Sequence, residues 1–311
     1  MGRFSFPRHS RPDTADDNAP GKVNLTMHNR KKIRGRGYGH DTLAVAATTP
    51  DGQQLVIPAD RICSVHATFS PRAKGDGSTT EGLDFHGAHL AGMGMKDVTH
   101  ETWKRISTTL ELDSHFATAE FGVRLFPYEA VDPASAAAQA FIGAALEATG
   151  QDLDEDAQAR LLTAILGRPA PVTGPRAALR NTSGEVVQRP DWPALFGVTV
   201  LPTKKHTFNP EATQEQLDTL MAATTVDEIG AATRPILEAA AGTTPLLEEA
   251  ITVAPNLTGH PAVASTPTGG AVFLYSGTVA GRRDAYDAAW ELRRRFADNH
   301  VRSSSTWKAD K

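Results

Sequence analysis

Cysteine is almost absent from this 311-residue chain, and long apolar runs are absent altogether. A single cysteine, Cys63, excludes an internal disulfide and gives no reason to expect an oxidising compartment. No stretch approaches the roughly 20 apolar residues that cross a bilayer. The polar segment 1–20 has no apolar region of the kind found in a secretory signal peptide. We therefore expect a protein of the cytoplasm or of a virion that is not secreted through a signal peptide and does not associate with a membrane.

The sequence also lacks the common catalytic signatures. It contains no G-x-S-x-G motif, and residues 277–282 are one position shorter than the phosphate-binding loop G-x-x-x-x-G-K-[ST]. Arg282 and Arg283 stand where that loop has Lys and Ser or Thr, so an ordinary strand-to-helix turn is the favoured interpretation. We predict no catalytic residue, no cofactor and no metal from motifs.

Charge is distributed unevenly along the chain. The first 38 residues carry nine Lys and Arg against three Asp, whereas the whole chain has 32 basic and 36 acidic side chains. A basic arm on an acidic body is typical of a segment that contacts polyanions or an acidic partner surface. The predicted nucleic-acid-binding or intersubunit residues are Arg30, Lys31, Lys32, Arg34, Arg36 and Tyr38. The glycines between the arginines predict a flexible arm that contributes nothing to the core.

The rest of the chain predicts an α+β fold with a mixed or antiparallel sheet and paired helices. Three turn signatures predict hairpins, at 49–52, 181–184 and 267–270. An αα-hairpin is predicted where Asp132 and Asp154 can cap two helices that end at Gly150 and Gly167. A final amphipathic helix is predicted at 282–298.

The predicted organisation has four parts. A basic flexible arm covers 1–38, and a β-rich segment followed by the αα-hairpin covers 39–168. Five prolines between positions 169 and 194 indicate a boundary there. An α+β unit that ends in a long amphipathic helix covers 195–311.

Histidine and cysteine spacing offers a possible metal site, which strand geometry disfavours. Cys63 and His66 are spaced C-x-x-H, and His86 and His89 are spaced H-x-x-H. Because positions three apart on a strand point to opposite faces, Cys63 and His66 do not fit one metal ion. We interpret Cys63 as a small buried apolar residue.

Composition therefore favours a self-assembling structural protein of the coat, capsid or nucleocapsid type and not an enzyme. Its expected partners are copies of itself and RNA or DNA bound through the arm. One alternative is a small cytoplasmic nucleic-acid-binding protein. A second is an enzyme whose site is assembled from residues distant in sequence, for which the candidate histidines are His86, His89, His100 and His115.

Overall fold

The computed structural model describes residues 32–71, 83–86, 104–110, 112, 116–125, 132–170, 172, 174, 176–204, 207–241 and 244–305. Within these residues there are ten strands: β1 (Ile33–Thr48), β2 (Gln54–Pro71), β3 (Leu83–His86), β4 (Phe116–Leu125), β5 (Ala178–Arg180), β6 (Val186–Gln188), β7 (Leu195–Leu201), β8 (Ala262–Ser265), β9 (Ala271–Ser276) and β10 (His300–Ser305). The helices with defined bounds are α1 (Pro133–Thr149), α2 (Glu155–Leu166), α3 (Gln214–Ala222), α4 (Val226–Ala241), α5 (Pro245–Val253) and α6 (Val279–Arg295). Residues 104–109 are also helical.

The described strands form one sheet. Its order is β10-β7-β9-β8-β1-β2-β4-β3, and β5 pairs with both β2 and β6. The pairs in this sheet are antiparallel apart from β3 with β4, which is parallel. The predicted fold class, α+β with a mixed or antiparallel sheet and paired helices, is confirmed.

The flexible basic arm is not part of this fold. Arg30 and Lys31 lie outside the described residues, but from Ile33 onward the predicted arm is strand β1, paired in register with β2. Arg34 lies opposite Thr68, Arg36 opposite His66 and Tyr38 opposite Ser64. The prediction of flexibility up to residue 38 is therefore wrong where the structure describes it.

This segment forms a strand because buried and exposed residues alternate in it with a period of two, which its overall composition does not reveal. Gly35, Gly37 and Gly39 are buried, while the residues between them are exposed. The glycine face of β1 lies directly against helix α1, because a Cβ on any of the three would overlap a carbonyl oxygen of Ala144, Ala140 or Ala136. These carbonyls are four residues apart and so lie on one helix face. Here glycine permits close packing and does not confer flexibility.

The two helices that follow β4 form the predicted αα-hairpin. Asp132 and Asp154 cap them through the amides of Ser135 and Ala157, and Gly150 and Gly167 end them in the left-handed conformation. Aromatic rings bind α1 to the sheet: Phe121 of β4 lies 5.1 Å from Phe141 of α1 and 6.0 Å from Phe69 of β2, edge to face. Such pairs add to the stabilisation that comes from burial.

The sheet continues through the predicted boundary at 169–194. Strand β5 lies inside that segment and pairs with β2, where Leu55 faces Leu179. A buried cluster also joins the two sides, since it contains Ala44 and Leu55 together with Leu217, Ile229 and Leu274. The division of the chain into the separate units 39–168 and 195–311 stays a prediction.

Replacing Gly37 by alanine tests the packing of β1 on α1. We expect Gly37→Ala to lower the free energy of unfolding by at least about 2 kcal/mol, because the new methyl group must displace helix backbone. The matched control is Gly122→Ala on β4, where the nearest atom to a new Cβ is 3.8 Å away. We expect the control to change stability by less than about 1 kcal/mol. Urea unfolding of both variants provides the measurement, and equal stabilities would contradict the packing argument.

Candidate functional site

A polar cleft of about 740 Å³ lies where β1, β2, the start of α1 and the β5–β6 hairpin meet. Residues distant in sequence line it, from Thr42 to Pro267. Its polar lining includes Thr42, Gln54, Asp132, Arg168, Arg180, Asn181, Thr182 and Asn209. The cleft is of the size of small-molecule sites in proteins.

Irregularities in β1 place one carboxylate beside this cleft. The pairing of β1 with β2 shifts register three times between Gly39 and Ala47, and such bulges re-aim side chains near functional sites. Asp41 lies in this stretch and is 1% exposed. Its carboxylate accepts hydrogen bonds from the amide of Thr42 (2.6 Å) and from the amide of Asp132 (2.7 Å). Asp41 therefore fixes the entry of the chain into α1.

The N-terminus of α1 carries a second carboxylate. Oδ1 of Asp132 accepts a hydrogen bond from the amide of Ser135 (3.1 Å), and its carbonyl oxygen accepts one from the amide of Ala136 (3.2 Å). Pro133 occupies the first helical position and has no N–H to donate. The chain itself therefore accounts for three of the first four positions of the helix.

Arg168 completes this cluster from the end of α2. Its Nη1 lies 2.6 Å from Oδ2 of Asp132. The hydrogen bond that Arg168 donates to Asp132 raises the pKa of its guanidinium. Partial burial opposes this effect, and the negative charges of Asp132 and Asp41 add to it. The Asp132 side chain is 11% exposed and that of Arg168 is 49% exposed, so the pair faces the cleft. We call Asp41, Asp132 and Arg168 the α1 cluster.

A second guanidinium lies deeper, at the end of β5. Arg180 is 4% exposed, and its Nη1 donates a hydrogen bond to the carbonyl of Gly184 (2.8 Å) in the β5–β6 turn. Burial lowers the pKa of Arg180 to about 10; the positive charge of Arg189 adds to this effect and Glu155 opposes it. The site therefore disfavours the positive charge of Arg180, and an anion bound in the cleft would compensate it.

The two parts of the cleft differ in the ligand groups they suit. Arg180 offers a buried cation to a phosphate or carboxylate. The α1 cluster offers a carboxylate that can accept a hydrogen bond or a proton, next to an arginine that can donate one. At the start of α1, the kind of position where a helix often holds a phosphate, Asp132 accepts a hydrogen bond from the amide of Ser135 and Asp41 accepts one from the amide of Asp132. A phosphate group fits the Arg180 side of the cleft.

The predicted site residues lie elsewhere. Arg34, Arg36 and Tyr38 are on the exposed face of β1, and Lys32 pairs with Glu120 of β4 at 3.2 Å. Their role at a subunit contact stays a prediction. Of the candidate histidines, His86 ends β3, and His89, His100 and His115 lie outside the described residues.

Two features that border the cleft were predictable from local sequence patterns. Asp132 was predicted as a helix cap, and the structure confirms this. Its contacts with Arg168 and Asp41 were not predicted, because these residues lie 36 and 91 positions away and no local pattern connects them. The β5–β6 turn was predicted from Asn181 to Gly184, while the burial of Arg180 beside it was not. A buried arginine next to a turn has no sequence signature of its own.

Cys63 and His66 occupy opposite faces of β2, as strand geometry predicts. Cys63 is fully buried and His66 is exposed. Burial raises the pKa of the Cys63 thiol to about 12. No group of three or more His, Cys, Asp or Glu side chains within the described ranges is placed to hold a metal ion.

Comparison with solved structures identifies the fold. No known protein family matches this sequence, and no curated protein is significantly similar to it. Solved structures that resemble it in fold include homoserine kinase from Cytophaga hutchinsonii (TM-score 0.57, 11% identity, 92% of this chain and 98% of that chain), L. major mevalonate kinase in complex with R-mevalonate (0.57, 12%, 91% and 99%), and mevalonate pyrophosphate decarboxylase from Streptococcus pyogenes (0.53, 10%, 91% and 99%). The chain shares the fold of these three enzymes.

This finding contradicts the function predicted from composition. A coat, capsid or nucleocapsid protein of a virion is wrong, and so are the alternative of a small nucleic-acid-binding protein and the prediction that the chain is not an enzyme, because the structures sharing this fold are small-molecule kinases and a decarboxylase. The prediction failed because the basic residues were interpreted as a mobile arm, whereas Arg34 and Arg36 belong to a paired strand. No helix in the described part of the chain is both long and apolar enough to span a membrane.

The bonds of Asp41 can be tested by Asp41→Ala. We expect this variant to lose about 2 kcal/mol of unfolding free energy, because the amides of Thr42 in β1 and of Asp132 at the start of α1 lose a buried acceptor. Asp298→Ala, which removes an exposed carboxylate after α6, is the control and should change stability by less than about 0.5 kcal/mol. Thermal and urea unfolding would measure both, and equal losses would refute a special role for Asp41.

The reactivity of Cys63 provides a second test. The thiol is neutral at pH 8, because burial raises its pKa from 9.0 to about 12. We therefore expect almost no reaction of the folded chain with a chromogenic disulfide reagent at that pH, and complete reaction of one thiol in denaturant. The contribution of the buried neutral thiol to folding stability is fully present below pH 9 and is lost as the pH rises toward 12. Rapid labelling of the native chain at pH 8 would show that the strand is open at this position.

Proposed function

We propose that this chain is an enzyme that acts on a small anionic molecule in the polar cleft, and that its reaction is phosphoryl transfer. The substrate's phosphate or carboxylate lies against Arg180. Asp132 and Arg168 of the α1 cluster also line the cleft and meet the uncharged, hydroxyl-bearing part of the substrate. This assignment concerns the cleft and does not depend on the basic residues of β1.

The observation that carries the proposal is the buried guanidinium of Arg180 in the wall of a cleft. Its pKa is lowered by burial and by the neighbouring Arg189. A strongly perturbed charged group in a cavity supports a functional site, and a bound anion would favour its charged form. Arginine suits this task because its donors match phosphate and carboxylate geometry.

The fold supports the reaction class. The similar structures are named for homoserine, mevalonate and mevalonate pyrophosphate as ligands or substrates, and all three molecules are small and carry a carboxylate. In phosphoryl transfer an acceptor hydroxyl oxygen bonds to the phosphorus, the bond to the donor's bridging oxygen breaks, and the hydroxyl proton leaves to a base or to solvent. Positioning and charge stabilisation supply most of the catalysis in such reactions.

Two predictions made from the sequence accompany this proposal. We place the activity in the cytoplasm, and we retain self-association into a homo-oligomer as a proposal. Light scattering across protein concentrations at low and high salt measures the oligomer directly. Neither point affects the assignment of the cleft.

The decisive experiment combines an activity screen with a variant of Arg180. The full chain is incubated with magnesium ATP and a panel of small hydroxy acids and their phosphates, including homoserine and mevalonate, and products are followed by phosphorus NMR. We expect turnover of at least one compound. Arg180→Met should then lower kcat/KM by about 100-fold, because a charge-assisted contact is removed, whereas Arg180→Lys should retain part of it.

Arg294→Met provides the matched control. Arg294 is an exposed arginine on α6 that does not line the cleft, so its loss should leave kcat/KM unchanged. No turnover by a correctly folded protein across the panel would refute the reaction class. Full activity of Arg180→Met would refute the assignment of the cleft.

A further inference from the structure

The outer side of helix α6 carries three exposed large apolar side chains, which we call the α6 stripe. Val279, Tyr286 and Trp290 are 89%, 55% and 68% exposed. Their spacing of seven and four residues places them on one side of the helix. The opposite side is buried and consists of Gly281, Ala285, Ala288, Ala289 and Leu292. A helix that is already packed on one side therefore keeps a second apolar surface, which is typical of an interaction site.

Neighbouring side chains hold both aromatic rings of the stripe in place. The ring of Tyr286 lies 5.5 Å from that of Phe196 on β7, and the guanidinium carbon of Arg293 lies 5.5 Å from the centre of the Trp290 ring. Side chains that are ordered before association lose little conformational entropy when a partner covers them. Trp, Tyr and Arg are also the residues that contribute most binding energy at protein interfaces.

The charges beside the stripe indicate which partner fits it. Asp287 and Arg294 are exposed and lie on the same flank of the stripe, because seven residues separate them. Neither of them forms an ion pair within the ranges that the structure describes. Asp287 precedes Trp290 by three residues and Arg294 follows it by four, so the two opposite charges lie almost symmetrically about this tryptophan.

We propose that the α6 stripe binds the α6 stripe of a second copy of this chain, antiparallel to it and related by a two-fold axis near Trp290. A two-fold axis there places Asp287 of each copy opposite Arg294 of the other, within about one residue's rise of 1.5 Å. It also brings Arg293 of each copy to Tyr286 of the other, where the guanidinium can stack on the ring. The two Trp290 rings meet at the axis, so each contact occurs twice, as in any two-fold interface.

The charges exclude the simplest alternative arrangement. A parallel pair of α6 helices in register sets Asp287 against Asp287 and Arg294 against Arg294, and like charges that face each other disfavour association. The antiparallel pair covers both aromatic rings of each copy, which we estimate to bury on the order of 1,000 Å² in total. This area is at the small end of specific interfaces, so we expect a reversible dimer with a Kd of about 10 μM.

This inference goes beyond the reaction proposed for the cleft. No residue of α6 lines the cleft, so the site is complete in one copy. Turnover is measured on dilute, monomeric chain, so Arg294→Met still serves there as the control for Arg180→Met. The dimer and the reaction can therefore fail separately.

Sedimentation velocity of the full chain over a series of concentrations tests the dimer. We expect the mass to rise from 33.2 kDa toward twice that value as the concentration passes the Kd. Trp290→Ser should raise the Kd at least about tenfold, because the residue at the centre of the interface is lost. Circular dichroism and thermal unfolding show that each variant is folded.

A charge exchange tests the antiparallel register. Asp287→Arg and Arg294→Asp should each raise the Kd about tenfold, because each variant alone places like charges opposite each other. An equal mixture of the two should associate as tightly as the unaltered chain, since each copy then supplies the charge that the other lacks. Asp218→Arg makes the same change at an exposed carboxylate of α3. It is the matched control and should leave the Kd unchanged.

Three outcomes would overturn the inference. A folded chain that stays at 33.2 kDa throughout the series leaves the stripe to a partner other than a second copy. A dimer whose Kd changes less than about twofold in Trp290→Ser uses another surface. A mixture of the two charge variants that associates no better than either alone rejects the pairing of Asp287 with Arg294.

Discussion

The close contact between the glycine face of β1 and the backbone of α1 is the constraint on which the rest of this structure depends. Three glycines at alternate positions let the strand approach the helix until no Cβ would fit between them. Gln139 of α1 then bonds to both the amide and the carbonyl of His40, at 3.3 and 3.1 Å. Strand and helix are thus fixed in both distance and register, and the first turn of α1 has one possible position relative to β1.

That position brings Asp132 to the cleft. Just beyond the last of the three glycines, β1 shifts register and turns Asp41 toward the helix terminus. Arg180 reaches the same cleft from a distant part of the chain, the β5–β6 hairpin, which is joined to β2 by three residue pairs. The polar cleft therefore follows from the way the sheet is assembled more than from any one segment.

Local signals predicted the local parts of the structure well. The caps of α1 and α2 and the three tight turns follow from a few adjacent residues, and the structure has them at the expected places. The basic segment was misinterpreted because net charge and glycine content were read without their period of two. Burial of Gly35, Gly37 and Gly39 between exposed arginines is the pattern of a half-buried strand, and this signal was present in the sequence. The cleft was beyond prediction, because Asp132 and Arg180 come to line it only when the sheet is complete.

The place of β1 in the sheet has a consequence for the order in which the chain assembles during translation. One edge of β1 pairs with β2, which follows within a few residues, but the other edge pairs with β8, where the hydroxyl of Ser265 bonds to the carbonyl of Val45 across 220 positions. A ribosome adds roughly 5 to 20 residues per second, so this edge stays open for about 10 s or more. During that interval a long strand presents unpaired backbone groups to other nascent chains.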